Sequence, residues 1–375
     1  MDSFARKLID WHAIHGRHDL PWQDRATPYT IWVAEVMLQQ TQVATVAPYY
    51  ERFMRRFPTL AELAAAPLDD VLGLWAGLGY YARGRNLHRS ARIVVKEWEG
   101  RLPDSFDGLL SLPGIGRSTA GAILAQAHGR RYAILDGNVK RVLARYHAVK
   151  GWPGEAAVER ALWEYAESHT PTDKAAAYTQ AIMDLGATVC TRRRPSCTKC
   201  PVVRDCAARR AGIEDRLPVP RPKRNRPRKS AIVLVVIGPG GRVLLERRPE
   251  QGVWGGLYSF PELPDGEKAE LWCARKLGAR VSSVEAWEPV LHSLTHVDLV
   301  LAPQQVWLAG SPNMVGDDWD RIWHDPATAP VVGVAAPIAA ALRRLGDGRE
   351  KAILPAAGQA QEPEPRDPPA TAPRA

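Results

Sequence analysis

Long apolar runs are missing from this chain. The longest wholly aliphatic stretch, Ala231 to Ile237, is far shorter than the ~20 residues a membrane-spanning helix needs. The N-terminal stretch MDSFARKLIDWHAIHGR has no apolar core of the kind that marks a secretion signal. Both absences predict a cytoplasmic protein with no membrane role. Cysteine is scarce as well, at five residues. In such a setting a tight group of thiols suggests metal rather than disulfides. Acid is absent from Arg216–Ser230, which holds four prolines and seven Lys or Arg. That composition predicts an extended, semi-rigid linker suited to lie along a phosphate backbone. No internal repeat recurs.

What is present is a chain of 375 residues, enough for two domains and a tail. Its formal charge of +9 favours a polyanionic partner, with nucleic acid the leading candidate. Apolar spacing of helical period recurs over 4–14, 28–39, 43–57, 71–75, 87–98, 118–127, 139–146, 157–166 and 175–185. Thr27-Pro28 reads as an N-cap followed by proline at the first helical position. Asp136-Gly137-Asn138 and Pro171-Thr172-Asp173 read as two more helix starts. Residues 1–215 are thus expected to form an all-α domain, and 216–230 the linker. Beyond it, 231–237 and 242–246 read as strands around Gly238-Pro239-Gly240-Gly241. A helix over 267–277 and strands over 297–301 and 305–309 complete a smaller α+β domain, 231–347. The Pro-rich segment 348–375 is expected to be disordered.

Four cysteines follow the pattern Cys190-x6-Cys197-x2-Cys200-x5-Cys206. Zinc sites usually pair two separated Cys-x2-Cys units. Four thiols on one compact loop, with a single x2 pair, suit an iron–sulfur cluster better. Zinc stays open on spacing alone. The loop 190–206 also carries Arg192, Arg193, Arg194, Lys199 and Arg204. These cations suit a phosphate backbone, or they offset the charge of a bound cluster.

Leu112-Pro113-Gly114-Ile115-Gly116 lies between helical segments, within about 105–128. Its glycines permit a tight turn with bare N–H groups at the next helix start, a geometry that accepts a phosphate. The pattern matches a helix-hairpin-helix, which holds DNA by its backbone. An ordinary helix–helix turn is the alternative.

Two acids stand out. Glu35 interrupts the apolar run Ile31-Trp32-Val33-Ala34-Glu35-Val36-Met37-Leu38. A carboxyl buried there is expected to hold its proton. Asp136, at a helix N-terminus, is expected to stay ionised among N–H donors. One acid and one charge stabiliser is the logic of glycosidic cleavage through an oxocarbenium-like transition state.

Trp32-Val33-Ala34-Glu35-Val36-Met37-Leu38-Gln39-Gln40-Thr41-Gln42, Gly77-Leu78-Gly79-Tyr80-Tyr81, Leu112–Gly116, Leu135-Asp136-Gly137-Asn138-Val139-Lys140-Arg141 and the four cysteines occur in that order. As a set they resemble the MutY-type adenine DNA glycosylases of the helix-hairpin-helix superfamily. The resemblance implies an all-α glycosylase domain with a 4Fe-4S cluster on Cys190, Cys197, Cys200 and Cys206. It implies removal of adenine mispaired with 8-oxoguanine or guanine from double-stranded DNA, after the base is flipped out. A monomer is expected, since one module can straddle one lesion. By matching positions, Glu35 protonates adenine at N7, Asp136 stabilises the sugar cation, and Asn138 orients Asp136 or the water. Gln40 and Tyr80 fill and wedge the base stack; Trp22 and Leu38 line the adenine pocket; Pro113, Gly114, Gly116 and Ser118 lie on the DNA.

Ser118 stands where the lyases of this fold carry a lysine. A serine forms no Schiff base, so a monofunctional enzyme is expected. The second domain resembles the Nudix fold through Gly255-Gly256-Leu257-Tyr258-Ser259-Phe260-Pro261-Glu262. Arg275 and Lys276 occupy the place of its magnesium-binding glutamates, so hydrolysis of nucleotides is not expected. In the resembled family this domain reads 8-oxoguanine through a Phe-Ser-His loop. His292-Ser293-Leu294-Thr295-His296 matches it, with Thr295 keeping the hydroxyl, His296 the imidazole and Leu294 replacing the ring. A bifunctional lyase, a non-catalytic redox-sensing DNA binder and a nucleotide pyrophosphatase are the competing readings. Ser118, the pair Glu35 and Asp136, and Arg275 with Lys276 argue against each in turn.

Overall fold

The computed structural model describes residues 1–24, 26–222, 225–294, 296–312, 320–330 and 332–347. The tail expected over 348–375 and Thr295 lie outside the described residues. The chain divides into two compact units, Met1–Arg224 with short pieces at 252–255 and 331–333, and the remainder.

The first unit is helical. Its helices are α1 (Ser3–His15), α2 (Pro28–Leu38), α3 (Val43–Arg56), α4 (Leu60–Ala65), α5 (Leu68–Trp75), α6 (Ala82–Glu97), α7 (Phe106–Leu110), α8 (Arg117–His128), α9 (Gly137–Tyr146), α10 (Ala156–His169), α11 (Ala175–Asp184) and α12 (Ala207–Arg210). The start of α2 is built as expected. Thr27 caps the Thr30 N–H, Thr30 returns a bond to the Thr27 N–H, and Pro28 opens the helix. The start of α11 is not. Lys174, in the left-handed region, precedes Ala175, and no side chain from Thr172 or Asp173 caps it. Helices α4 and α12 escape a periodicity reading because each spans barely one turn.

Two cores form. One gathers α2, α3, α5, α6 and α8 around Trp32, Phe53, Trp75 and Ile123. The other gathers α1, α9, α10 and α11 around Phe4, Leu143, Leu162 and Ile182. Helix α8 serves both, giving Ile123 and Leu124 to the first and Ala122 to the second. Gly121 makes this possible, since a Cβ there would sit 2.5 Å from the Ala133 carbonyl oxygen. A seam between the cores therefore runs past α2, α8 and the start of α9.

A carboxyl group is sealed inside this unit. Asp184, at 0% exposure, accepts from the Arg17 N–H at 2.7 Å, Arg17 Nη2 at 2.6 Å and Gln180 Nε2 at 2.9 Å. His12 Nε2 lies 3.2 Å away without the alignment of a hydrogen bond. These bonds fix the segment after α1 to the end of α11.

Among its described residues the second unit has an eight-stranded sheet and two α-helices. Its strands are β1 (Arg228–Ile237), β2 (Val243–Arg247), β3 (Tyr258–Ser259), β4 (Glu262–Leu263), β5 (Val281–Ala286), β6 (Val290–Ser293), β7 (Asp298–Leu308) and β8 (Arg321–His324). The order is β3-β2-β1-β7-β5, with β4 on β1, β6 on β7 and β8 on β2. The parallel pair β1–β7 runs from Arg228 opposite Asp298 to Ile237 opposite Trp307. Helix α13 (Ala269–Leu277) packs Trp272, Cys273 and Leu277 on Leu234, Val236 and Val306, and α14 is Ala336–Gly346.

Two expectations are corrected. Arg228–Ser230, read as linker, already pair with Asp298–Val300. The strands expected at 297–301 and 305–309 are one strand that continues through Pro303. Along one edge of β7, β6 pairs with 298–301 and β5 with 304–308. Pro303 falls in the gap between them and accepts from the Trp287 N–H at 2.9 Å. Its missing N–H faces that gap, so no ladder bond is lost.

Removing the Asp184 carboxylate leaves the Arg17 guanidinium and backbone N–H without their partner. Asp184→Ala is expected to cost about 3–5 kcal/mol of stability, read as a fall in denaturation midpoint. A loss below ~1 kcal/mol would show that the network contributes little.

Candidate active site

Glu35 projects from α2, a helix whose Ile31, Trp32, Val33, Ala34, Val36 and Met37 are all buried. The residue itself is half-buried, at the seam. Gln126 of α8 donates Nε2–H to Glu35 Oε1 at 2.9 Å. Burial pushes the Glu35 carboxyl up to about 7; the Gln126 bond pulls it down, and the negative charge of Asp136 pushes it further up. An ordinary glutamate would be less than ~1% protonated at neutral pH, whereas the burial of this one favours the protonated form.

The last contribution places the two acids within electrostatic reach of each other, which spacing in the sequence did not settle. Asp136 is the N-cap of α9, and its Oδ1 accepts from the Val139 N–H at 2.7 Å. The expected effect of the cap on its pKa needs correction. Burial raises the Asp136 pKa, while the Val139 N–H, Arg141 and Asn138 only oppose the rise. A cap on an exposed helix would lower it; here desolvation is the larger effect.

Asn138 Nδ2 donates to Asp136 Oδ2 at 3.3 Å, and Arg141 Nη2 donates to Asn138 Oδ1 at 2.8 Å. Arg141 also donates to the carbonyls of Gly186 at 2.6 Å and Cys190 at 2.7 Å. A π-helical turn, Leu185–Val189, brings those carbonyls round. Gly186 allows the approach, because a Cβ there would lie 2.6 Å from Asn138 Cβ. Asp136 is thereby joined through two side chains to the cysteine loop. Neither Arg141 nor Gln126 was singled out as functional from sequence. A lone Arg or Gln on a helix carries no signal until its partner, far away in the chain, is known.

Ser118 is the second residue of α8, and Gly116 is that helix's N-cap. The Ser118 hydroxyl accepts from the Leu135 N–H at 3.0 Å, so it anchors the residue before Asp136. In the hairpin turn Gly114 has φ +83°, and a Cβ would lie 2.8 Å from Asn86 Cβ. Pro113 accepts from Ser90 Oγ at 2.9 Å. Tyr80 is 46% exposed, and Gln40 is exposed. Trp22 is 4% exposed and edge-on to Tyr50, with ring centroids 5.6 Å apart; Leu38 is half-buried.

All four loop cysteines are half-buried free thiols. Burial and the charges of Cys190, Cys206 and Cys197 push the Cys200 thiol up to about 12, so the sulfurs sense one another. Arg145, 2% exposed, donates Nη1–H to Cys190 Sγ at 3.3 Å and to the Thr191 carbonyl at 2.7 Å. Its Nε donates to the Leu217 carbonyl at 2.8 Å. Among the described residues no group of three or more His, Cys, Asp or Glu is drawn together for a single metal ion. Four mutually coupled thiols with a buried cation against them fit a polynuclear, anionic group. Arg192, Arg193, Arg194, Lys199 and Arg204 all face solvent.

In the second unit Arg275 donates to both Glu267 carboxylate oxygens at 2.8 Å. Leu294 accepts from Arg226 Nη1 at 3.2 Å through its carbonyl, and His296 is exposed.

A model of the HhH-GPD superfamily base excision DNA repair proteins matches residues 33–168, and a NUDIX domain model matches residues 232–344. The chain is 36% identical to the adenine DNA glycosylase of Buchnera aphidicola subsp. Acyrthosiphon pisum over 89% of its own length and 95% of that protein's. It is 38% identical to the human adenine DNA glycosylase over 70% of this chain and 57% of that one. The solved structure of a thermostable thymine-DNA glycosylase superposes with a TM-score of 0.50 at 27% identity, covering 56% of this chain and 95% of that chain. The likeness to the Buchnera enzyme along 95% of its length places the chain in the adenine DNA glycosylase family, enzymes of base excision repair that hydrolyse an N-glycosyl bond.

Proposed function

We propose that the chain excises adenine opposite 8-oxoguanine, or opposite guanine, and leaves the abasic site uncut. The observation that carries this is the juxtaposition of Glu35, held near pH 7 by burial, with Asp136 at the start of α9. Once adenine is flipped from the duplex, Glu35 gives its proton to N7. The C1′–N9 bond then breaks with its electron pair leaving on a neutral base. Asp136, as carboxylate, stabilises the oxocarbenium-like sugar. Asn138 holds Asp136 or the incoming water. Water adds at C1′ and loses its proton to a carboxylate of the site.

Ser118 spends its hydroxyl on the Leu135 N–H and has no amine to attack the sugar, which supports monofunctional action. Cys190, Cys197, Cys200 and Cys206 would hold a 4Fe-4S cluster whose contribution is to pin the loop 190–206 and its five cations. Pro113, Gly114, Gly116 and Ser118 would meet a phosphate backbone, Gln40 and Tyr80 the base stack, and Trp22 with Leu38 the adenine. His296 with Thr295 would read the 8-oxoguanine. One unit of each kind suffices for one lesion, so the acting species is a monomer on chromosomal DNA.

A duplex with one adenine opposite 8-oxoguanine tests this. Wild type is expected to give strand breaks only after hot alkali, and Glu35→Gln to bind the duplex with at least ~100-fold slower excision. Breaks without alkali, or an active Glu35→Gln, would contradict the assignment.

The rate requires Glu35 protonated, so single-turnover excision is expected to fall as pH rises through about 7. The Gln126 bond favours the ionised form, so Gln126→Leu is expected to move that limb to higher pH. A limb that stays in place would remove Gln126 from the account.

Arg145→Met takes donors from Cys190 Sγ and three carbonyls. It is expected to lower bound iron per chain and to cost on the order of 3 kcal/mol. Unchanged iron and unchanged melting would contradict its role in holding the loop.

A further inference from the structure

Arg83 is an arginine of α6 that is buried, at 8% exposure, and pairs with no carboxylate among the described residues. Its guanidinium is spent on backbone carbonyls from two separate turns. Nη1 donates to Val36 at 3.1 Å, Met37 at 2.6 Å and Gln39 at 2.6 Å, all at the end of α2. Nη2 donates to Gly79 at 2.9 Å and Leu78 at 3.4 Å, and Nε to Tyr80 at 3.5 Å. A cation at the end of α2 also meets that helix's negative pole.

The two turns share an unusual backbone state. Gln40, just past α2, has φ 56°, and Tyr80 has φ 51°. Neither is glycine, so each conformation is held only if its surroundings fix it. Both residues are exposed, Tyr80 at 46% with its ring centroid 5.5 Å from the Arg83 guanidinium carbon. Residues flanking each of these positions are bonded to the same guanidinium. Its planar fork spans both turns, which the single nitrogen of a lysine does not.

The same face of α6 reaches further. Asn86 backs Gly114, and Ser90 donates to the Pro113 carbonyl at 2.9 Å. Gln39 Nε2 lies 3.3 Å from Thr119 Oγ1 of α8. Arg83, Asn86 and Ser90, spaced i, i+3 and i+7, thus lie behind three turns at once.

We infer that Arg83 is a positioning residue that locks the Gln40 turn and the Tyr80 turn into one register, so that the two side chains enter a DNA stack as a single unit. This rests on the proposed stack-inserting roles of Gln40 and Tyr80. Opening one turn breaks donors shared with the other, so neither side chain adjusts alone.

A double-mutant cycle tests it, with the full chain and a duplex carrying 8-oxoguanine opposite an adenine whose sugar resists cleavage. Kd is measured for wild type, Gln40→Ala, Tyr80→Ala and both together, then for the same set carrying Arg83→Lys. With Arg83 present, the double variant is expected to bind on the order of tenfold tighter than the product of the single losses predicts. With Arg83→Lys the losses are expected to multiply. Multiplying losses already with Arg83 present, or coupling that survives Arg83→Lys, would overturn the inference. If neither single change weakens binding, the stack-inserting reading fails and the inference with it. If Arg83→Lys does not fold, hydrogen exchange of the wild type decides. The bonded amides of Thr41 and Leu78 are expected to share one opening free energy, and Tyr80→Ala to speed exchange at both. Separate opening energies would overturn it.

Discussion

Taking the Glu35 carboxyl out of water is the constraint around which the helical unit is arranged. Burial raises its pKa to about 7, and the neighbouring Asp136 adds to the rise. That requires α2 to be apolar on nearly every side, which is why six of its eleven residues are buried. It requires α8 close by, so that Gln126 gives the carboxyl one defined partner. It also has the start of α9 near enough for the Asp136 charge to act on Glu35. Gly121 lets α8 reach the backbone before Asp136, and Ser118 bonds the Leu135 N–H there. The placement of these two acids is therefore a product of packing on both sides of α8.

The second acid is held from the opposite direction. Asp136 receives Val139 and Asn138; Asn138 receives Arg141; and Arg141 ends on the Gly186 and Cys190 carbonyls. The cysteine loop is thus mechanically continuous with the site. The loop carbonyls hold Arg141, and Arg141 holds the amide beside the carboxylate.

Much of this was legible from residues alone. A lone glutamate in an apolar helix, a glycine pair between helices and four thiols on one loop each break a local rule, and such breaks mark function. The helices were legible because their apolar spacing is long and regular. What escaped depends on distant partners. Arg83, Gln126, Arg141 and Arg145 look like ordinary helix residues until the fold supplies carbonyls, a carboxylate or a sulfur. The direction of the Asp136 pKa shift was missed because a cap can be recognised in a sequence while the depth of its burial cannot. Residues 297–301 and 305–309 read as two strands because the gap between β5 and β6, where Pro303 is harmless, exists only once three strands are assembled.

The most direct test titrates the Glu35 side chain itself. Carbon-13 labelled at glutamate Cδ, with Glu35→Gln used to assign the signal, reports each carboxyl against pH in the free protein. The account predicts a Glu35 midpoint at about 7, well apart from the exposed glutamates at their ordinary ~4.3. A Glu35 signal that titrates with those exposed groups would mean the carboxyl is ionised at neutral pH, and the proton-donor mechanism would fail.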